Sequence, residues 1–223
     1  PVKEQIICSV DLGINTDAVC TIMRADGTVL GRKFIDFPSE KDRMYRTLGR
    51  IRRFQRKHGS AQAGDRWAYT RRLNIELSRK IAGAVAEYAW ENHADVIVFE
   101  HLDKQGKVKG SKKQRLKLWR SQEVQRIVAD KAHRLGMHVS HICAWNTSRL
   151  AFDGSGCVMR GKSGGFKTYE LCRFQNGKIY NCDLSASYNI GARYFIREIL
   201  KSLDESSRLL ICLLYTSDAA DEL

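Results

Sequence analysis

Three acidic residues in this chain stand where a secondary-structure element ends or begins. Asp11 and Glu100 each follow an apolar run typical of a buried strand, and Asp183 opens a segment with helical spacing. A carboxylate at the end of a buried strand has lost hydration. Three converging carboxylates repel one another unless a divalent cation lies among them. A solvated acid would explain any one of the three, but their joint pattern predicts a magnesium site.

Hydrophobic periodicity predicts the elements that must position these acids. Strands are expected over 5–11, 18–25, 28–36, 95–100 and 138–143, and helices over 40–58, 65–92, 119–135 and 183–203. Residues 59–64 and 101–118 are expected to be loops, and 144–181 an irregular, glycine-rich insertion before the last helix. Asp65 is a candidate N-cap for the second helix.

This order of elements predicts an α/β fold of the RNase H-like kind, a mixed sheet flanked by helices. In that topology the first strand is central and the fourth lies beside it. Asp11 and Glu100 would then reach the same edge of the sheet, and the start of the last helix would bring Asp183 across it.

The charge balance predicts a polyanionic partner. The 223 residues include 38 Lys and Arg against 25 Asp and Glu, a formal net charge of +13, and such an excess is typical of nucleic-acid binding. Two clusters are candidate nucleic-acid contacts, although a solvated surface is the alternative for each: Arg50, Arg53 and Lys57 in the 40–58 helix, and Lys112, Lys113 and Arg115 in the 101–118 loop. Without a membrane-length apolar run or a signal peptide, the sequence predicts a soluble protein of the cytoplasm.

Three segments in order carry a resemblance to a known family. Asp11-Leu-Gly-Ile-Asn15, Ile97-Val-Phe-Glu-His-Leu102 and Asp183-Leu-Ser-Ala-Ser-Tyr-Asn-Ile190 resemble the split RuvC motifs of the TnpB/OrfB proteins of insertion sequences, to which the type V CRISPR effectors are related. The resemblance covers residues 5–203. One departure is Ser185, where the family usually has asparagine.

The resemblance implies an RNA-guided, prokaryotic DNA endonuclease. Its three acids carry over onto Asp11, Glu100 and Asp183 as ligands of two Mg²⁺ ions, with target DNA and guide RNA as partners. Whether the parent protein is transposon-associated or a CRISPR effector stays open.

The resemblance also divides the chain. Residues 1–143 would form the nuclease core with a basic helical insertion, 144–181 the zinc-ribbon position, and 182–207 the helix with the third motif. Residues 208–223 resemble translated sequencing-adapter read-through and are expected to be a non-native tail. The start at Pro1 predicts a fragment that lacks the N-terminal half, which in the family grips guide and target.

Zinc is a separate question. The family commonly carries two Cys-x-x-Cys pairs before the third motif, and this chain has none. The candidate ligands are instead widely spaced, at Cys143, Cys157, Cys172 and Cys182. Because paired spacing is what makes small zinc ribbons fold readily, a degenerate ribbon held by ordinary packing is the favoured interpretation, with Zn²⁺ binding as the alternative.

Two other functional classes remain open. An actin-like or sugar-kinase ATPase shares the RNase H-like fold, but it requires a second glycine-rich phosphate loop, for which 154–156 and 164–165 are poor candidates. A non-catalytic nucleic-acid-binding module fits the charge but leaves the three acids unexplained.

Overall fold

A five-stranded mixed sheet forms the centre of the computed structural model, which describes residues 4–59, 63–101 and 120–203. Its strands lie in the order β3-β2-β1-β4-β5. The first three are antiparallel neighbours, whereas β4 and β5 run parallel to β1. The strands are β1 (Ile6–Asp11), β2 (Ala18–Arg24), β3 (Val29–Ile35), β4 (Val96–His101) and β5 (His138–Cys143). The predicted α/β architecture, with β1 central and β4 beside it, is confirmed.

Among the described residues, four helices cover the two faces of this sheet. They are α1 (Pro38–His58), α2 (Gly64–Glu91), α3 (Ser121–Arg134) and α4 (Cys182–Ser202). Alternate residues of the strands supply two separate cores, as the two-residue repeat of a strand requires. Cys8 and Phe99 pack with α1, α2 and α3 on one face, whereas Ile7 and Val98 pack with α4 on the other. The result is a three-layer sandwich.

Helix α4 approaches the sheet closely because small residues face the strands. The hydroxyls of Ser187 and Thr21 are 2.6 Å apart. A Cβ atom added at Gly191 would stand 3.0 Å from Met23 Sδ and 3.1 Å from Ser9 Oγ. A larger side chain at position 191 would therefore push the helix, and with it Asp183, away from β1.

The outer edge of β5 is covered by two arginines of α4. Arg193 donates hydrogen bonds to the carbonyl oxygens of Cys143, at 3.1 Å, and Trp145. Arg197 donates to His141 O at 2.6 Å and to Ser140 Oγ at 2.7 Å. Edge-strand carbonyls that would otherwise be open to another chain are thus bound within the fold.

Residues 144–181, predicted as an irregular insertion, form a small unit with a sheet that the sequence did not indicate. Its antiparallel strands, in the order β6-β7-β8, are β6 (Met159–Arg160), β7 (Leu171–Arg173) and β8 (Ile179–Asn181), and a short 3-10 helix spans Gly161–Gly164. Cys172, Phe174 and Cys182 are buried at its centre. Strands of two or three residues are too short to display an alternating pattern.

The ends of the helices differ from the prediction in one chemical respect. The cap of α2 is Ala63, which makes no side-chain capping bond, and Asp65 lies inside the first turn, so the predicted Asp65 cap is wrong.

Loop 101–118, apart from its first residue, and the predicted tail 208–223 lie outside the described residues. In the part of the chain that the structure describes, no helix is long and apolar enough to cross a membrane.

The close approach of α4 makes a prediction about stability. Gly191→Val should lower the free energy of unfolding by about 1–3 kcal/mol, because the added methyl groups overpack the helix–sheet contact. Gly83→Ala in α2 is the matched control, since nothing lies within 4 Å of a Cβ added there. It should instead raise stability by about 1 kcal/mol through helix propensity. Denaturant unfolding of both variants decides, and equal effects would contradict the packing argument.

Candidate metal and nuclease site

The carboxyl ends of the two central parallel strands carry the first two acids. Asp11 ends β1, and Glu100 is the next-to-last residue of β4. The parallel register pairs Val10 with Phe99. Asp11 and Glu100, the next residue of each strand, therefore lie side by side at the same edge of the sheet.

The third acid reaches this edge from the first turn of α4. The side chain of Asn181 caps the helix and accepts a hydrogen bond from Leu184 N at 2.9 Å. The amide of Cys182 donates to Glu170 O at 2.8 Å, which fixes the chain as it enters the helix. Asp183 therefore lies near the positive end of the helix dipole, where a carboxylate is favoured. The structure thus brings together the three acids that the sequence singled out.

All three acids have raised pKa values. Burial raises the pKa of Asp11 well above its usual value, and the charges of Glu100 and Asp183 raise it further. Burial also raises the pKa of Glu100 and of Asp183. The fold therefore holds three half-buried carboxyl groups, with Asp11 close enough to Glu100 and Asp183 to be repelled by both, an arrangement that a cation would relieve.

The donor chemistry of this cluster fits a hard divalent cation, because carboxylate oxygens are the ligands that Mg²⁺ prefers. The side-chain positions are not those of a formed coordination shell. Among the described residues, no three His, Cys, Asp or Glu side chains are arranged so that they could hold a metal ion.

Glu100 is oriented by neighbours from other elements. The hydroxyl of Thr147 donates a hydrogen bond to its carboxylate, and Gln125 Nε2 donates to its backbone carbonyl at 3.0 Å. The amide of Asn189, in α4, in turn donates to Thr147 O and to Leu150 O, each at 2.8 Å. The buried Thr147 is thus held from both sides, which fixes the carboxylate of Glu100.

Arg160 is a site residue that sequence reasoning missed. It lies in β6, and its positive charge lowers the pKa of both Asp11 and Asp183, opposing the effect of burial. One terminal nitrogen donates to Ser148 O, whereas its Nε is buried without a hydrogen-bond partner among the described residues. No sequence signal could have identified it, because only the folding of the small sheet brings it to the carboxylates.

The four candidate zinc ligands separate into different environments. Cys172, in β7, and Cys182, the first residue of α4, are buried in the same small cluster, whereas Cys143, at the end of β5, and Cys157 are exposed. Burial raises the pKa of Cys182 to about 12, which favours the thiol over the thiolate that zinc requires. The described part of the chain thus gives a four-cysteine zinc site no support.

Three of the six residues predicted to contact nucleic acid lie in the described part of the chain, and the contacts themselves stay predictions. Arg50, Arg53 and Lys57 lie on the exposed surface of α1. Lys112, Lys113 and Arg115 lie outside the described residues and stay predictions.

No protein-family model and no curated protein matches this chain. Several solved structures share its fold. A Cas12f1 complex with sgRNA and target DNA has a TM-score of 0.64 at 19% identity, covering 83% of this chain and 49% of that one. The C2c1 protein of Alicyclobacillus acidoterrestris, in complex with single-guide RNA, has a TM-score of 0.58 at 10% identity, covering 86% and 39%. The mini-RNA-guided endonuclease CRISPR-Cas_phi3 has a TM-score of 0.55 at 12% identity, covering 87% and 46%. The chain spans less than half the length of each.

The raised pKa of Asp11 makes a prediction about stability and pH. An acid whose pKa is higher in the folded state than in the unfolded state destabilises the fold as pH rises through that interval. Asp11→Asn should therefore make the metal-free protein more stable than the wild type at pH 8, by about 1.4 kcal/mol for each unit of pKa shift removed. The gain should shrink as the pH falls below the ordinary aspartate pKa of about 3.9, where Asp11 becomes protonated in both states.

Asp26→Asn is the control, because hydrogen bonds from Thr28 lower the pKa of this exposed turn residue. Thermal unfolding of both variants at several pH values, with and without Mg²⁺, provides the measurement. Mg²⁺ should stabilise the wild type and the Asp26 variant but not the Asp11 variant. An Asp11 variant less stable than the wild type at pH 8 without metal would contradict the argument.

Proposed function

We propose that this chain is the nuclease lobe of an RNA-guided DNA endonuclease of the TnpB and type V effector kind. The observation that carries the proposal is the cluster of Asp11, Glu100 and Asp183. These are desolvated carboxyl groups from β1, β4 and α4 that meet at one edge of an RNase H-like sheet. Burying three acids together destabilises a fold, which is understandable if the cluster serves a cation.

The fold comparisons support the same proposal. The similar structures include a protein solved with guide RNA and target DNA and one described as an RNA-guided endonuclease. Target DNA and guide RNA are accordingly the proposed partners. Because the chain spans less than half of these proteins, guide and target recognition would depend in large part on regions beyond the shared fold.

Asp11, Glu100 and Asp183 are the residues that would hold the Mg²⁺ ions, with Asp11 as their shared ligand. Bound there, the ions would activate a water molecule and would stabilise the leaving oxygen of a phosphodiester. The remaining residues position these groups. Thr147 orients Glu100, the Asn181 cap fixes Asp183, and Arg160 offers an unpartnered N–H group beside the carboxylates, where the charge of a scissile phosphate would be bound.

A non-catalytic nucleic-acid-binding role is the second candidate, and the exposed basic surface of α1 favours it. A non-catalytic role would not explain why the fold desolvates Asp11. The ATPase alternative is not retained, because no described feature favours a second phosphate loop and two of its four candidate glycines, Gly156 and Gly164, are closely packed. A Cβ at Gly164 would stand 2.6 Å from Met159 O, and one at Gly156 would stand 2.8 Å from Gln175 Nε2.

Removing either single-ion ligand should abolish magnesium-dependent cleavage. Glu100→Gln and Asp183→Ala should each slow the cutting of labelled DNA by more than roughly a hundredfold, because even residues that only support metal ligands cost 10- to 100-fold. The same variants should lose the rise in melting temperature that Mg²⁺ gives the wild type. Glu87→Gln, an exposed acid of α2, is the control. A variant of Glu100 or Asp183 that cuts at the wild-type rate would refute the assignment.

Replacing Arg160 should slow cleavage but strengthen Mg²⁺ binding. Arg160→Gln should slow cleavage by roughly 10²–10³-fold, as expected for loss of one donor to developing charge. It should also tighten Mg²⁺ binding, because a cation beside Asp11 and Asp183 has been removed. Arg173→Gln, in the neighbouring strand β7, is the control. Cleavage rates across a Mg²⁺ titration test both effects, and weaker Mg²⁺ binding by the Arg160 variant would contradict the assignment.

A further inference from the structure

Five basic residues repeat along α1 at alternating intervals of three and four positions. Because an α-helix has 3.6 residues per turn, such spacing places them along one face. All five are exposed: Arg43, Arg46, Arg50, Arg53 and Lys57. With a rise of 1.5 Å per residue, this basic stripe is about 21 Å long.

The stripe borders a groove between α1 and α2. The groove consists of two adjoining hollows that share Thr47, Arg50 and Tyr69, and the larger has a volume of about 420 Å³. Two carboxylates, those of Asp42 and Asp65, also line it. They are outnumbered by guanidinium groups, which come from Arg43, Arg46, Arg50 and Arg66. The groove is therefore concave and positively charged.

The groove is partly organised in advance. The hydroxyl of Tyr69 accepts a hydrogen bond from Arg43 at 2.8 Å, and the Arg43 guanidinium lies 5.9 Å from the ring centroid. At the other end, the guanidinium of Arg66 stacks 4.3 Å above the ring of Phe54. In the described ranges, the basic groups of Arg46 and Arg50 have no hydrogen-bond or ion-pair partner. Two cations are thus held in place while two remain open to a ligand.

One end of the groove lies at the first turns of α1, where Ser39 and Asp42 line it. Lys41, in the same turns, donates to Asn15 O at 2.5 Å and lies 3.6 Å from Asp17. Asn15 belongs to the loop that directly follows Asp11, so this end of α1 contacts the connection between β1 and β2.

We propose that the groove between α1 and α2 binds the phosphate backbone of a nucleic-acid strand. This inference rests on the proposed nuclease function for the choice of nucleic acid as the ligand, but on the shape and charge of the groove alone for the binding site. A B-form strand carries one phosphate per 3.4 Å of axis, so the stripe would pass about six of them. Backbone contacts of this kind carry no base sequence, so binding in the groove should be independent of sequence.

The salt dependence of binding tests the groove. Each phosphate neutralised contributes about 0.9 to the slope of log affinity against log salt for duplex DNA, and about 0.7 for single strands. Arg46→Gln with Arg50→Gln should therefore flatten the slope by about 1.8 or about 1.4, respectively. The probes are fluorescent oligonucleotides of equal length, supplied as single-stranded DNA, duplex DNA and RNA, titrated with the whole chain. The probe whose slope changes most identifies the strand type.

A second double variant controls for net charge. Lys131→Gln with Arg134→Gln removes the same charge from the exposed end of α3 and should leave the slope unchanged. An unchanged slope in the groove variant, or equal flattening in both, would overturn the proposal. Asp11→Asn separates the two claims: it should bind with the wild-type slope and fail to cut. If it cuts normally, the nuclease proposal fails while the slopes still decide the groove.

Discussion

The desolvation of Asp11 is the constraint to which much of this structure responds. The carboxylate of Asp11, at the end of the central strand, loses water where the sheet and α4 cover it. The charges of Glu100 and Asp183 add electrostatic repulsion. The protein compensates only in part, with Arg160 beside Asp11 and Asp183 and Thr147 bonded to Glu100. The negative charge that remains favours the binding of a cation, which an apolar or fully solvated strand end would not do.

For a cation to bind there, carboxylates from elements that are distant in sequence must be held close together. Strands β1 and β4 achieve this through parallel pairing, which brings residues 11 and 100 to one edge. Helix α4 achieves it through close packing, because Gly191 and Ser187 let the helix lie against β1 and β2. The positions of the acids therefore depend on residues that do no chemistry.

The sequence predicted the parts of the fold that express long-range regularity. Buried strands such as β1 and β4 show continuous apolar runs, and α1 shows helical spacing over many turns, so both type and order could be inferred. The three acids were predicted because each ends or begins such an element. The strands of the small sheet were not predictable, since two or three residues hold no pattern. Arg160 was missed for the same reason, because its position depends on tertiary pairing with Cys172. The Asp65 cap was wrong because α2 begins at Gly64, one residue earlier.

The arginine cover of β5 has a consequence for how such a chain can vary. Arg193 bonds the backbone at Cys143 and Trp145, and Asn189 bonds it at Thr147 and Leu150, so α4 grips the first residues of the small unit directly. These hydrogen bonds attach the start of the small unit to α4, which is also the helix that follows its end. The end of the unit is tied to α4 as well, through the Asn181 cap and the hydrogen bond from Cys182 N to Glu170 O. Between the two ends, Phe152 packs against Tyr188 of the same helix. A change in the length of the unit would therefore be transmitted to the helix that carries Asp183.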